Sequence, residues 1–145
     1  LCSKAVLVAK ENAINAGLGS RTYFATMNWS DALDARFDIV ISNPPYIMSS
    51  SIASLSPEVA CYDPLLAIDG GPDGLEAYRC LARILPSLLA PGAVVGVELG
   101  FGQLAAVVNI FSNSSLQVDE IRRDLSGRSR CLLASRPRYE KKYLA

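Results

Sequence analysis

Phe37-Asp38-Ile39-Val40-Ile41-Ser42-Asn43-Pro44-Pro45-Tyr46 is the stretch that decides how this chain folds. Its first half is an apolar run with β-branched Ile39, Val40 and Ile41, the pattern of a buried strand. Its second half is stiff. Two consecutive prolines fix φ twice and remove two backbone N–H donors, and Pro44 drives Asn43 out of the helical region. The result is a rigid loop at the carboxyl end of a strand, carrying an amide, carbonyls without donors beside them and an aromatic ring. Open α/β sheets bind ligands at such places.

Upstream, Ser3 to Ala16 reads as an amphipathic helix, with Ala5, Val6, Ala9 and Ala13 at helical spacing and a stop at Gly17 and Gly19. Thr22 to Met27 alternates and is aromatic, the pattern of a strand. Asn28 to Asp31 is a polar loop carrying the only tryptophan, Trp29. Ala32 to Arg36 is a short turn into the central strand.

Downstream, a long loop runs from Tyr46 to about Pro72 with at most a short helical turn, and loops this long are usually functional. Asp73 reads as a helix N-cap with Glu76 as its capping-box partner. The helix is expected to reach about Ala90, with Leu75, Tyr78, Leu81, Leu85, Leu88 and Leu89 inward and Pro91-Gly92 as its stop. Ala93 to Leu99 reads as a second buried strand, Gly100 to Gln103 as a turn, and Gln103 to Phe111 as a helix. The runs Leu116–Ile121 and Arg130–Ser135 are too close in sequence for a crossover, so they must pair antiparallel as an edge hairpin. A polar tail begins at Arg136 and is expected to fray. The alternation of strand and helix predicts an α/β, mostly parallel sheet in one domain spanning 1–145.

Composition narrows the chemistry. The 145 residues are half apolar, with 14 basic and 14 acidic side chains, as in a globular chain with one core. The zero net charge gives no global attraction to nucleic acid or to a membrane surface. No apolar run reaches the roughly 18 residues of a span, and Leu1-Cys2-Ser3-Lys4 is not a leader. Four scattered cysteines without a Cys-x-x-Cys predict free, mostly buried thiols in a reducing, cytoplasmic compartment, and no metal site. Histidine is absent, which excludes Ser-His-Asp and Cys-His catalysis.

Asn43-Pro44-Pro45-Tyr46 after an apolar strand resembles the signature of amino-group methyltransferases that use S-adenosylmethionine. Further segments resemble the HemK (PrmC) family of release-factor glutamine N5-methyltransferases. They are Ala9-Lys10-Glu11-Asn12-Ala13, Tyr62-Asp63-Pro64, Ala67-Ile68, Gly70-Gly71-Pro72-Asp73-Gly74-Leu75, Tyr78-Arg79, Glu98-Leu99-Gly100 with Gln103, and Asp124-Leu125-Ser126-Gly127-Arg128 with Arg130. Several spaced motifs in order are more specific than the first alone. Asp63 stands where the family more often has Glu. The family's glycine-rich cofactor loop would lie upstream of Ser3, and its ribose-binding acidic residue at or before Leu1, so the chain resembles the carboxyl-terminal part of the catalytic domain. The resemblance implies a Rossmann-like methyltransferase fold with an antiparallel carboxyl-terminal hairpin, lacking its first strands and glycine-rich loop. In that strand order two absent strands separate the strand at Thr22 from the central one.

The implied chemistry is displacement at a sulfonium methyl by a glutamine amide nitrogen, a poor nucleophile that gains from orientation and from acceptors for its protons. Asn43 supplies a side-chain oxygen and Pro44 a carbonyl, with Pro45 keeping both fixed. Tyr46 supplies an aromatic face, or else packs. Asn43, Pro44 and Tyr46 are thus the catalytic candidates. Asn43, Pro44, Pro45 and Tyr46 form the substrate site, and Trp29 and Asn43 the S-adenosylmethionine site. Glu98 reads as a hydrogen-bonding residue at a strand end, and Arg128 and Arg130 as hairpin charges. The implied partner is a peptide-chain release factor. An alternative target is an exocyclic amine of adenine or guanine, which a neutral chain disfavours. A third reading is a non-catalytic fragment that leaves apolar edges exposed, self-associates and binds the donor weakly.

Overall fold

The computed structural model describes residues 2–31 and 33–137. The chain divides into two units, Leu1–Asp34 and Ala35–Ala145.

In the first unit, α1 spans Ser3–Asn15. It ends where expected, because Gly17 adopts φ +70° and lets the N–H of Leu18 reach back to the Ala13 carbonyl at 2.8 Å. None of its residues is buried. A single 3₁₀ turn, Gly19–Arg21, follows. Thr22 to Met27 is not a strand, contrary to the alternation of its sequence. A strand is stable only when a neighbour completes its hydrogen bonds, and this segment pairs with none of the described strands.

In the second unit, β1 (Phe37–Ser42) opens a four-stranded sheet. The segment read as a long loop instead holds a 3₁₀ turn at Ser49–Ser54 and two short helices, α2 (Pro57–Tyr62) and α3 (Leu65–Ile68). Pro57 stands at the first turn of α2, where its missing N–H costs nothing. Then come α4 (Glu76–Leu88), β2 (Leu89–Glu98), α5 (Leu104–Ser112), β3 (Gln117–Arg123) and β4 (Ser129–Ser135). Pro91-Gly92 does not stop α4. The helix ends earlier, two residues after Pro86, and both residues lie in β2. The carbonyl of Leu89, just past the helix, accepts from Arg36 at 3.2 Å and from Arg136 at 2.6 Å, so two guanidinium groups sit at the negative end of α4.

The capping box is also replaced. Asp73 Oδ1 accepts from the Leu75 N–H at 3.1 Å, while both carboxylate oxygens bind Arg79 one turn into the helix. The Glu76 N–H goes to the Gly70 carbonyl instead, at 3.0 Å.

The strand order is β1-β2-β4-β3, with β1 parallel to β2 and both pairings of β4 antiparallel. The last two strands form the expected hairpin, turning through Asp124 and Gly127. One sheet face packs on α4 and α5 through Tyr78, Leu81, Leu85, Val95, Val97, Val107, Phe111 and Leu132, all buried. On the other face, none of the helices of this unit contributes to the core cluster. The central apolar strand, expected to be buried, is an edge strand with Ile39 68% and Ile41 83% exposed. The cysteines are free as expected, but none is buried: Cys2 and Cys61 are exposed, and Cys80 and Cys131 half-buried. No described helix is long and apolar enough to cross a membrane. Most of the tail after Arg136 lies outside the described residues.

Candidate active site

Because β1 and β2 are parallel, with Ser42 opposite Val97, both strands end at the same edge of the sheet. There Tyr46, at the end of the loop, meets Glu98 and the backbone at Gly100. The Tyr46 hydroxyl donates to Glu98 Oε1 at 3.0 Å. Partial burial pushes the Tyr46 phenol above its ordinary pKa. The Glu98 hydrogen bond and charge add to the shift, and Arg130 opposes it.

The loop's far side is held by backbone. The Ile47 N–H donates to the Ile68 carbonyl at 3.0 Å, and the Gly70 N–H to the Ile47 carbonyl at 2.8 Å. Asp69 accepts from the Ser49 hydroxyl at 2.7 Å and from the Gly71 N–H at 2.9 Å, and these bonds hold its carboxyl below the usual range. Gly70 is required here, since a Cβ would lie 2.8 Å from Tyr46 Cα.

Beneath the loop, Gln103 Nε2 donates to the Tyr46 carbonyl at 3.0 Å and to the Gly74 carbonyl at 3.2 Å. The Tyr78 hydroxyl accepts from the Gly100 N–H at 3.1 Å. Its single proton is shared between the Glu98 carbonyl at 3.0 Å and Gln103 Oε1 at 3.3 Å. Burial pushes the Tyr78 phenol up to about 12.

Asn43, Pro44, Pro45 and Tyr46 therefore stand together, with Pro44 buried and Pro45 and Tyr46 half-buried. Asn43 is exposed, and its amide and the Pro44 carbonyl form no hydrogen bond among the described residues. This leaves two acceptors without a partner among the described residues, one on the exposed Asn43 and one on the buried Pro44. Trp29 lies in the other unit, 37% exposed, in a turn where it adopts φ +49°. A positive φ is uncommon for a residue with a Cβ.

Sequence reading gave Tyr78 only a packing role and Gln103 none. The sequence signal for Gln103 was a polar residue one step after Gly100-Phe101-Gly102, immediately ahead of a helix.

No family model matches the chain. It is 51% identical over 132 residues to a release factor glutamine methyltransferase of Rhodospirillum rubrum, covering 91% of this chain and 41% of that protein. Enzymes of the same name from Caulobacter vibrioides and Agrobacterium fabrum are 42% and 39% identical, over 90% and 91% of this chain and 46% of each relative. The chain belongs to the release factor glutamine methyltransferase family. It spans less than half the length of these relatives. A crystal structure of a methyltransferase from Pyrococcus furiosus superposes with a TM-score of 0.64 over 94% of this chain and 60% of that one. At 17% identity that likeness concerns the fold alone, a Rossmann-like methyltransferase fold.

Proposed function

We propose that this chain carries the acceptor half of a site that methylates a glutamine side-chain amide in the Gly-Gly-Gln loop of peptide-chain release factors, with S-adenosylmethionine as methyl donor. The observation that carries the proposal is the pair of unoccupied acceptors, Asn43 Oδ1 and the Pro44 carbonyl, on a loop locked by two prolines. An amide nitrogen that attacks a methyl group becomes cationic, and its two protons bind more strongly to acceptors in the transition state than before it. Asn43 and Pro44 take those protons. The Pro44-Pro45 pair keeps the acceptors from reorganising, and Tyr46, tethered to Glu98, presents its ring beside the substrate amide. The proton leaves to water, so no histidine is needed.

In the second unit the residue that fits the donor is Asn43, whose amide has no partner among the described residues; in the first unit, taken by itself, it is Trp29, a partly exposed aromatic side chain on a turn in positive φ. When bound, the donor supplies an electrophilic methyl on a sulfonium. The exposed Ile39 and Ile41 favour self-association of the chain, and a cytoplasmic location follows from the proposed substrate.

The test is a chimera in which the 132 matched residues replace those of the Rhodospirillum rubrum relative. Labelled methyl transfer to a Gly-Gly-Gln peptide supports the proposal. Transfer to single-stranded DNA or RNA instead, or a folded chimera inactive on the peptide, overturns it.

A further inference from the structure

We propose that Gln103 is the positioning residue of this site. Its amide is a two-pronged clamp that sets the height and orientation of the Asn43–Tyr46 loop, and the inference rests on the function proposed above.

Nε2 faces two carbonyl oxygens, of Tyr46 at 3.0 Å and Gly74 at 3.2 Å. Both are acceptors only, so the nitrogen, with two hydrogens, is the end of the amide that belongs there. Oε1 faces the Tyr78 hydroxyl at 3.3 Å. One side chain thus ties three segments distant in sequence: the loop after β1, the turn before α4, and α4 itself. Tyr78 is fully buried and anchored to the end of β2 through the Glu98 carbonyl and the Gly100 N–H, so the clamp stands on the rigid core.

The backbone is cut away to admit this amide. A Cβ on Gly100 would fall 2.2 Å from Gln103 Oε1 and 2.9 Å from the Tyr46 ring. A Cβ on Gly74, which also adopts φ +72°, would fall 2.5 Å from the Tyr46 carbonyl and 2.7 Å from Gln103 Nε2. Both glycines leave room for the glutamine amide, Gly100 admitting the Tyr46 ring as well and Gly74 supplying the positive φ of its turn. Tyr46 follows Pro44-Pro45 directly, so the stiff dipeptide carries the position of the Tyr46 carbonyl back to the Pro44 carbonyl and the Asn43 amide. Gln103 acts through them and does not touch the substrate.

The test uses Gln103→Met and Gln103→Glu, each close to the glutamine in size and without an N–H donor at neutral pH. In the 145-residue chain, amide exchange at Ile47, Ser49 and Gly70, whose N–H groups fasten the loop, should accelerate about tenfold. Exchange at Val95 and Leu132 in the sheet should not change. Uniform acceleration of all five overturns the proposal, because the glutamine would then be a general stability residue. No acceleration overturns it as well. The same substitutions in the chimera should lower kcat on the Gly-Gly-Gln peptide and leave KM for S-adenosylmethionine unchanged. A rise in that KM at constant kcat overturns the proposal. If the unsubstituted chimera transfers no methyl to glutamine, the substrate assignment fails, and the exchange pattern alone still decides whether the clamp exists.

Discussion

Asn43 and Tyr78 illustrate two ways in which a single side chain matters here. Asn43 is exposed and unbonded, so its removal costs the fold nothing that the structure can identify. Asn43→Ala should lower methyl transfer by about 10²–10³-fold, the range for losing one preorganised transition-state partner, with an unchanged melting temperature; kinetics and calorimetry on the same chimera check this. Tyr78 is the opposite case. Its phenol is held at about 12 in the folded chain against an ordinary 10.0, so between those values the folded state keeps a proton that the unfolded state loses. Its contribution to stability is therefore complete below pH 10.0 and declines as pH rises towards 12. Urea midpoints on both sides of this window should show the decline, and Tyr78→Phe should remove that part of it.

At the scale of elements, α4 carries the fold and the turn before it carries the site. Leu85 is fully buried against the sheet, and Leu85→Ala should destabilise the chain by about 2–5 kcal/mol, read from denaturant midpoints. Gly74→Ala places a Cβ against the Tyr46 carbonyl at φ +72°. Strain and overlap together should cost about 2–4 kcal/mol, and exchange should accelerate first at Ile47 and Gly70. The inward residues of α4 were legible from their helical period, and the hairpin from the short link between its strands. The ends of α4 were not. Asp73 has the chemistry of a cap, but Arg79 lies within reach of its carboxylate only once the helix exists, and the ion pair draws it away. The segment between Tyr46 and Pro72 looked irregular because its helices are too short for a period to appear.

For the second unit as a whole, the decisive feature is a sheet whose own helices α4 and α5 pack on one face. Phe37, Ile39 and Ile41 alternate on the other side of β1, with Val94 of β2 beside them and 40% exposed. An apolar strip on an edge strand is a site of association. Sedimentation of the 145-residue chain should show concentration-dependent association, and Ile39→Lys with Ile41→Lys should abolish it. A monomer at all concentrations is the contrary result. The segment from Thr22 to Met27 belongs to the same lesson: its residues favour extended structure, but none of the described strands pairs with it, and it forms no strand.

By itself the sequence determined the rigid Asn43–Tyr46 loop at a strand end, the amphipathic face of α4 and the hairpin, because these follow from local stereochemistry and periodicity. Tertiary structure alone decided that Tyr46 binds Glu98, that Tyr78 and Gln103 support the loop, and that β1 lies at an edge with Ile39 and Ile41 exposed. Those outcomes depend on which distant segments meet, and hydrogen bonds between residues separated by 52 or 57 positions leave no period in the chain.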